Sequence, residues 1–78
     1  MTPHPMNAKL LERLRFIDFM LDHFGMIQRA HLVDYFGISL PQATSDFGQY
    51  QDIAPANMAY DTSARAYKKS SAFVRQMP

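Results

Sequence analysis

Apolar residues recur at helical spacing through the first third of the chain. Five of them, at successive steps of four, three, four and three residues, share one stripe of a helix: Leu10, Leu14, Ile17, Leu21 and Phe24. Asn7 is a suitable N-cap before this stripe, and Gly25 after it suits the left-handed conformation that ends many helices. The pattern therefore predicts a first helix from about Ala8 to Phe24.

Shorter segments follow the first helix. The pair Met26-Ile27 is too short for a helix, and we interpret it as a strap or a minimal strand. A second helix is predicted over Arg29–Phe36, with Gly37 as its stop. Its inward positions are apolar: Leu32, Val33 and Phe36.

A third helix is predicted after a short turn. Ser39 is a strong N-cap, and Pro41 lies in the first turn, where the N–H that proline lacks would be unpaired anyway. Pro55 restricts the residue before it, so the helix ends near Ile53 or Ala54. Its inward side is predicted to hold Leu40, Ala43, Phe47, Tyr50 and Ala54. Its outward side is predicted to hold Pro41, Gln42, Ser45, Gln49 and Asp52. That outward side is small, polar and almost uncharged, whereas a solvated helix face usually carries Lys and Glu.

The last third of the chain changes to short runs that carry aromatic residues. Asn57–Tyr60 and Arg65–Lys69 are separated by residues 61–64, and we interpret them as a β-hairpin with a four-residue connection. Tyr60 and Tyr67 are expected to face one side and to pack on the helices. The predicted fold class is mainly α with a small β-hairpin.

Composition limits what such a chain can be. It has 78 residues, 47% of them apolar and 19% charged, which allows one domain with a modest core. Cysteine is absent, which excludes disulfides and thiolate chemistry. No apolar run exceeds three residues, and the first residues lack the features of a signal peptide. We therefore expect a small cytoplasmic binding domain with no membrane partner, and not an enzyme.

Domain boundaries and charge divide the chain unevenly. We expect a lead-in over residues 1–6, the domain over 7–70, and over 71–78 a tail or the start of a linker to a downstream domain. Residues 1–60 hold four Lys and Arg against six Asp and Glu, whereas residues 61–78 hold four against one. The formal net charge of +1 therefore hides a basic final segment.

The second helix, the Gly37 turn and the third helix have the pattern of a helix-turn-helix. Glycine adopts positive φ without steric cost, which lets the helices cross steeply, and Ile38 is expected to fill the angle between them. The third helix can then enter a DNA major groove, where short neutral side chains approach base edges. The predicted base-reading residues are Ser39, Pro41, Gln42, Thr44, Ser45 and Gln49. Gln42 is the first candidate, because glutamine can bond adenine at two atoms. The alternative is that these side chains merely solvate a surface.

A helix-turn-helix followed by a hairpin with basic residues is a winged helix, here of three helices and a two- or three-stranded wing. Four basic residues are predicted to contact phosphates: Arg29, Arg65, Lys68 and Lys69. Arg29 opens the second helix, where free backbone N–H groups would reinforce a phosphate contact. For the lysine pair, the alternative is a solvated strand end.

Two resemblances support this interpretation. The run from Gly37 to Phe47 resembles the recognition segment of DeoR-type winged helices, whose closing Asp-Leu pair corresponds here to Asp46-Phe47. We interpret both residues as structural, since an Asp facing DNA would repel phosphate. The frame from about Arg13 to Tyr67 resembles more closely the N-terminal DNA-binding domain of WYL-domain transcriptional regulators. The motifs that match are Pro41-Gln42-Ala43, Ala54-Pro55-Ala56-Asn57, and Tyr60-Asp61 before Tyr67.

This resemblance implies a bacterial repressor that binds inverted-repeat operator DNA as a homodimer. In that family a downstream WYL domain senses a nucleic-acid-like ligand, and some members control phage-defence loci. The chain has no WYL domain within its 78 residues, so no sensing is assigned. DeoR-type recognition helices often carry several arginines, whereas this chain has Leu40, Pro41, Thr44 and Ser45 there. We therefore expect weak non-specific affinity and a larger role for the predicted phosphate contacts.

Other chemistry finds little support in the sequence. His4, His23 and His31 do not have the spacing of a metal site, so no metal and no cofactor are expected. The carboxylates of the first two predicted helices are scattered, and no catalytic or phosphate-loop motif is present.

Phe16 and Phe19 project away from the apolar stripe of the first helix. Two phenylalanines one turn apart on a small domain indicate a patch that something covers. The candidates are the far side of the hairpin, a second copy of the chain, a downstream domain, or the domain's own core.

Sequence-specific binding of double-stranded DNA is the function that these features favour. The main alternative is a winged helix that serves as a protein–protein module, which the low net charge favours somewhat. A small RNA-binding or architectural domain is a further alternative, and it would show affinity without sequence preference.

Overall fold

The computed structural model describes residues 8–77 of the chain. Its elements, in chain order, are α1 (Ala8–Phe24), β1 (Met26–Ile27), α2 (Arg29–Phe36), α3 (Leu40–Ile53), β2 (Met58–Asp61) and β3 (Ala66–Lys69). The strands form one antiparallel sheet in the order β1-β3-β2. Three helices with a small sheet confirm the winged-helix class, and β1 makes the wing three-stranded. No helix within the described range is both long and apolar enough to cross a membrane. The predicted N-cap of α1, Asn7, lies outside that range.

The apolar stripe of α1 forms the centre of the core. Four of its five predicted members are buried: Leu10, Leu14, Ile17 and Leu21. Burial of each such side chain stabilises the fold by about 1.5–3 kcal/mol. The prediction is wrong for Phe24, which is 64% exposed. Phe24 is the last residue of α1, where the helix extends past the core, and its ring meets Phe19 edge-on. Gly25 then ends the helix with φ +76°.

The turn between α2 and α3 has the expected geometry. At the start of α2, the backbone N–H of Gln28 donates to Nδ1 of His31 at 2.8 Å, which satisfies a donor that the helix leaves free. Gly37 ends α2 with φ +67°, and its N–H donates to the carbonyl of Val33 at 2.9 Å. Ile38 packs against the core, as predicted. The two helices are thereby fixed at the angle that exposes one side of α3.

The inward side of α3 is largely as predicted. Four of its expected members are buried: Ala43, Phe47, Tyr50 and Ala54. Leu40 is 56% exposed, so the prediction is wrong for this residue. Leu40 is the first residue of α3. Helical periodicity predicts the direction of its side chain around the helix, but not whether another element covers this end of the helix.

The wing joins α3 through a column of aromatic rings. On β3, Tyr67 pairs with Ile27 of β1 on one side and with Tyr60 of β2 on the other. The Tyr67 ring stacks on Phe47 of α3 at a centroid distance of 4.1 Å, and Tyr60 meets Tyr67 edge-on at 4.8 Å. The two tyrosines therefore share one face, as expected, although Tyr60 remains 39% exposed.

The hairpin connection covers residues 62–65, one position later than predicted. Asp61 causes the shift, because its Oδ1 accepts the backbone N–H of Ser63 at 2.9 Å and of Ala64 at 3.1 Å. Arg65 closes the turn in the left-handed region, with φ +52°. The same N–H groups and the neighbouring Lys68 lower the pKa of the Asp61 carboxyl, the Ala64 hydrogen bond being the main cause.

The segment after β3 returns to the helices. Asn57 accepts the N–H of Val74 at 2.9 Å and donates to the Val74 carbonyl at 2.8 Å. The Asp18 carboxylate of α1 accepts the N–H groups of Gln76 and Met77, each at 3.2 Å or less. The sequence predicts a tail or the start of a linker over residues 71–78, and in the structure the buried side chains of Asn57 and Asp18 take hydrogen-bond partners from the backbone of this segment.

Asp18, Tyr50 and Asn57 form a buried polar network. The Tyr50 hydroxyl donates to Asp18 Oδ1 at 2.5 Å and accepts from Asn57 Nδ2 at 3.0 Å. Burial and the hydrogen bond to Asp18 raise the pKa of Tyr50 well above its ordinary value. Among the described residues, no buried side-chain nitrogen or oxygen lacks a partner. The network therefore joins α1, α3 and the final segment with no unpaired polar atom to oppose burial.

Phe16 is covered by α2 and not by the hairpin. Its ring stacks on Tyr35 at 4.8 Å and meets Phe36 edge-on at 5.4 Å. Phe19 stays 41% exposed beside His23, and Tyr35 is 71% exposed. A covering second copy or downstream domain stays a prediction.

Tyr50→Phe is expected to lower the free energy of unfolding by about 1–3 kcal/mol, because Asp18 loses a buried donor and Asn57 an acceptor. Urea titration followed by circular dichroism measures this change. The exposed Tyr35→Phe is the matched control and should change stability by no more than about 0.5 kcal/mol. Equal effects of the two variants would contradict the network's role.

The same network predicts an alkaline dependence. Because folding raises the Tyr50 pKa, its contribution is fully present below about pH 10, the ordinary tyrosine pKa. It is lost as the pH rises further, since the unfolded chain releases a proton that the folded chain keeps. The stability difference between wild type and Tyr50→Phe should therefore shrink above about pH 10. A stability difference between wild type and Tyr50→Phe that does not shrink as the pH rises above about 10 would contradict this assignment.

Candidate nucleic-acid interface

The leading turns of α3 present the residues that the sequence assigned to base reading. Ser39, Pro41, Thr44 and Ser45 are exposed, while Gln42 and Gln49 are half-buried. Ser39 also caps the helix, because its Oγ accepts the N–H of Gln42 at 3.2 Å. These side chains are short or neutral, so this end of α3 offers hydrogen-bonding groups without a charged side chain in front of them.

Gln42 is held more firmly than its place on the surface indicates. Its Nε2 donates to Oδ1 of Asp46, one turn later, at 2.9 Å. Asp46 is fully buried, and the Arg13 guanidinium of α1 donates to both of its oxygens, at 2.5 and 3.2 Å. The structural role predicted for Asp46 and Phe47 is confirmed, since both are buried on the inner side of α3.

Arg29, at the start of α2, lies against the wing. Its guanidinium carbon is 5.4 Å from the centre of the Tyr60 ring, and Nη2 is 3.4 Å from the Tyr60 hydroxyl. Beside it, Nε2 of Gln28 donates to the carbonyl of Ala64 in the wing connection at 3.4 Å. The start of α2 and the wing therefore form one surface, with a guanidinium at the junction.

Two further basic residues lie on the wing itself. Arg65 is exposed at the end of the connection, where its left-handed backbone turns the chain into β3. Lys68 is exposed and forms an ion pair with Asp61 at 3.3 Å. Ion pairs this exposed contribute little to stability, so Lys68 can exchange Asp61 for a phosphate at little cost.

Lys69 is separated from this group. Its ammonium donates to the backbone carbonyl of Asp22 in α1 at 3.3 Å and lies 5.5 Å from the centre of the Phe73 ring. Its backbone N–H bonds to the Gly25 carbonyl at 2.9 Å, at the base of the wing. Of the four predicted phosphate contacts, the structure thus directs this one toward the end of α1.

Tyr60 and Gln28 belong to this surface, and sequence reasoning missed both. Tyr60 was assigned wholly to packing, because alternation along a strand gives its face but not how far that face extends beyond the helices. Gln28 carried no distinctive signal, since its contact with Ala64 joins residues 36 positions apart. No group of three or more metal-ligating side chains lies together within residues 8–77, and His4 lies outside that range.

Comparison with known proteins agrees with this geometry. Residues 9–77 match the BrxR transcriptional regulator winged helix-turn-helix domain. The chain is 48% identical over 61 residues to the DNA-binding transcriptional repressor CapW of Escherichia coli strain KTE188, covering 78% of this chain and 20% of that protein. It is 46% identical over 66 residues to the repressor of the same name from Pseudomonas aeruginosa, covering 85% of this chain and 22% of that protein.

The chain spans about a fifth of the length of the curated relatives it matches. The match runs through both predicted halves of the interface, the helix-turn-helix and the wing, and it includes the final segment that returns to α1. It confirms the resemblance to the DNA-binding domain of these regulators that the sequence motifs indicated. The chain belongs to the family of BrxR transcriptional regulator winged helix-turn-helix domains.

Proposed function

We propose that this chain binds double-stranded DNA in a sequence-specific manner, as the reading head of a transcriptional repressor. The observation that carries the proposal is the composition of two surface regions: neutral hydrogen-bonding groups at the leading end of α3, and a guanidinium at the junction of α2 and the wing. Neutral groups can approach base edges and so specify the sequence, while cations at the margin of the recognition surface bind phosphates and position the domain.

Within this proposal, α3 lies in the major groove. Base edges are read from Ser39, Pro41, Gln42, Thr44, Ser45 and Gln49. Phosphates are bound by Arg29, Arg65 and Lys68 at the margin of the surface. Lys69 is the weakest of the predicted phosphate contacts, because its ammonium is directed toward the end of α1 and Phe73, and not toward the junction of α2 and the wing.

The operator and the assembly extend the proposal beyond this chain. Its relatives are named as DNA-binding transcriptional repressors, and the resemblance of the motifs implies an inverted-repeat operator. A two-fold homodimer of the complete regulator would place two α3 helices in major grooves about one helical turn apart. One head alone contacts few phosphates, so we expect this chain to bind a half-site weakly.

Salt dependence tests the proposal against the protein–protein alternative. Duplexes are first selected from a randomised library on the immobilised chain at about 50 mM salt, and binding is then titrated with salt. We expect one motif to be enriched, and the logarithm of its affinity to fall linearly with the logarithm of salt concentration. Absence of any salt-dependent binding would favour the protein–protein module, and binding without motif enrichment would favour an architectural domain.

Gln42→Ala tests base reading. We expect it to lower affinity for the selected motif by about 1–3 kcal/mol, or roughly 5- to 150-fold, while affinity for random duplex stays within about twofold. Mobility-shift titrations on the two duplexes measure this. Equal losses on both would mean that Gln42 only orients the domain.

Arg29→Gln tests the margin of the interface. Loss of one phosphate contact should reduce the steepness of the salt dependence by about 0.9 and weaken binding to all duplexes alike. Lys69→Gln also removes one positive charge, but this charge lies near the end of α1, so the steepness should stay almost unchanged. A larger loss of steepness in Lys69→Gln than in Arg29→Gln would contradict this orientation of the domain on DNA.

A further inference from the structure

The amide of Gln42 rests on a buried ion pair rather than standing free in solvent. Nε2 donates to Oδ1 of Asp46, and the Arg13 guanidinium donates to both oxygens of Asp46. The carboxylate has no exposed surface, and the Arg13 side chain is only 13% exposed. Asp46 therefore cannot turn away without breaking contacts that join α1 to α3.

This contact decides which way the amide faces. An ionised carboxylate can only accept hydrogen bonds, so it must meet the nitrogen of Gln42 and not the carbonyl. One N–H of the amide is thereby used, and Oε1 and the second N–H remain for a ligand. A free glutamine could turn its amide over, but a reversed Gln42 would set two oxygens against each other.

We propose that Asp46, held by Arg13, is a positioning residue that makes Gln42 selective for adenine over guanine. The inference rests on the proposed function, since it concerns how α3 reads a base. In the major groove adenine presents one acceptor, N7, and one donor, the N6 amino group, which match an N–H and a carbonyl. Guanine presents two acceptors, N7 and O6, and would need both N–H groups of the amide. Asp46 occupies one of them.

Asp46→Asn reverses this logic with a change of one heavy atom. The shorter Arg13 contact, from Nε to Oδ2, keeps the carbonyl of the substituted side chain at that position. Its NH2 group then replaces Oδ1, loses the hydrogen bond from Nη2 and faces Gln42. That NH2 can donate only to Oε1, which turns the Gln42 amide over and frees both of its N–H groups. The preference at the base read by Gln42 should then shift from adenine toward guanine.

The experiment is selection from a randomised duplex library followed by sequencing, with four proteins: wild type, Asp46→Asn, Gln42→Ala and the double variant. The base read by Gln42 is the position whose preference disappears in Gln42→Ala. At that position we expect the ratio of adenine to guanine to fall about fivefold or more in Asp46→Asn. In the Gln42→Ala background, Asp46→Asn should leave the ratio unchanged, because Asp46 acts through the glutamine.

Two outcomes would overturn the inference: an unchanged ratio in Asp46→Asn, or an equal fall in both backgrounds, which would indicate a general structural role. Failure of wild type to enrich any motif would instead overturn the proposed function, so the two failures are distinguishable. Asp34→Asn, at an exposed position on α2, is the control for the loss of one negative charge and should leave the ratio unchanged.

Circular dichroism melting tests whether Asp46→Asn folds. If Asp46→Asn does not fold, Arg13→Lys takes its place. Lysine keeps a cation beside Asp46 but lacks the planar pair of donors that binds both carboxylate oxygens. The carboxylate is then less firmly fixed, and we expect a smaller fall in the adenine preference that again requires Gln42. A ratio equal to that of the wild type in Arg13→Lys would contradict the role of the ion pair.

Discussion

The orientation of α3 on α1 depends on two buried carboxylates, each paired with a side chain of the other helix. Asp18 of α1 accepts the Tyr50 hydroxyl, and Asp46 of α3 accepts the Arg13 guanidinium. Leaving either carboxylate unpaired in the core would be costly, so each pair resists both sliding and rotation of the helix. One side of α3 is thereby fixed inward, and the opposite side is fixed outward.

Aromatic packing extends this constraint to the wing. Phe47 follows Asp46 along α3, and its ring stacks on Tyr67 of β3, which in turn meets Tyr60 of β2. Arg29 lies over the Tyr60 ring from the start of α2. A displacement of α3 would therefore disturb the wing and the junction guanidinium as well, so the parts of the interface keep a defined spacing without a ligand.

Much of the fold could be predicted from local patterns. Helical spacing of apolar residues indicated the three helices, and Gly25 and Gly37 marked stops because both adopt positive φ. Two errors share one cause. Phe24 and Leu40 lie at helix ends, where the neighbouring elements leave more than half of each side chain exposed. The segment up to Met77 carried no periodic signal, because backbone groups make its bonds to Asn57 and most of its bonds to Asp18, beside an ion pair from Arg75.

The sequence by itself determined which side chains stand at the leading end of α3, since this follows from turn chemistry and helical period. Only the tertiary structure decided that Gln42 rests on Asp46, that Arg29 meets the wing and that Lys69 is directed toward α1. Arg13 and Asp46 are 33 positions apart. Contacts between such distant residues depend on how helices cross, which no local pattern encodes.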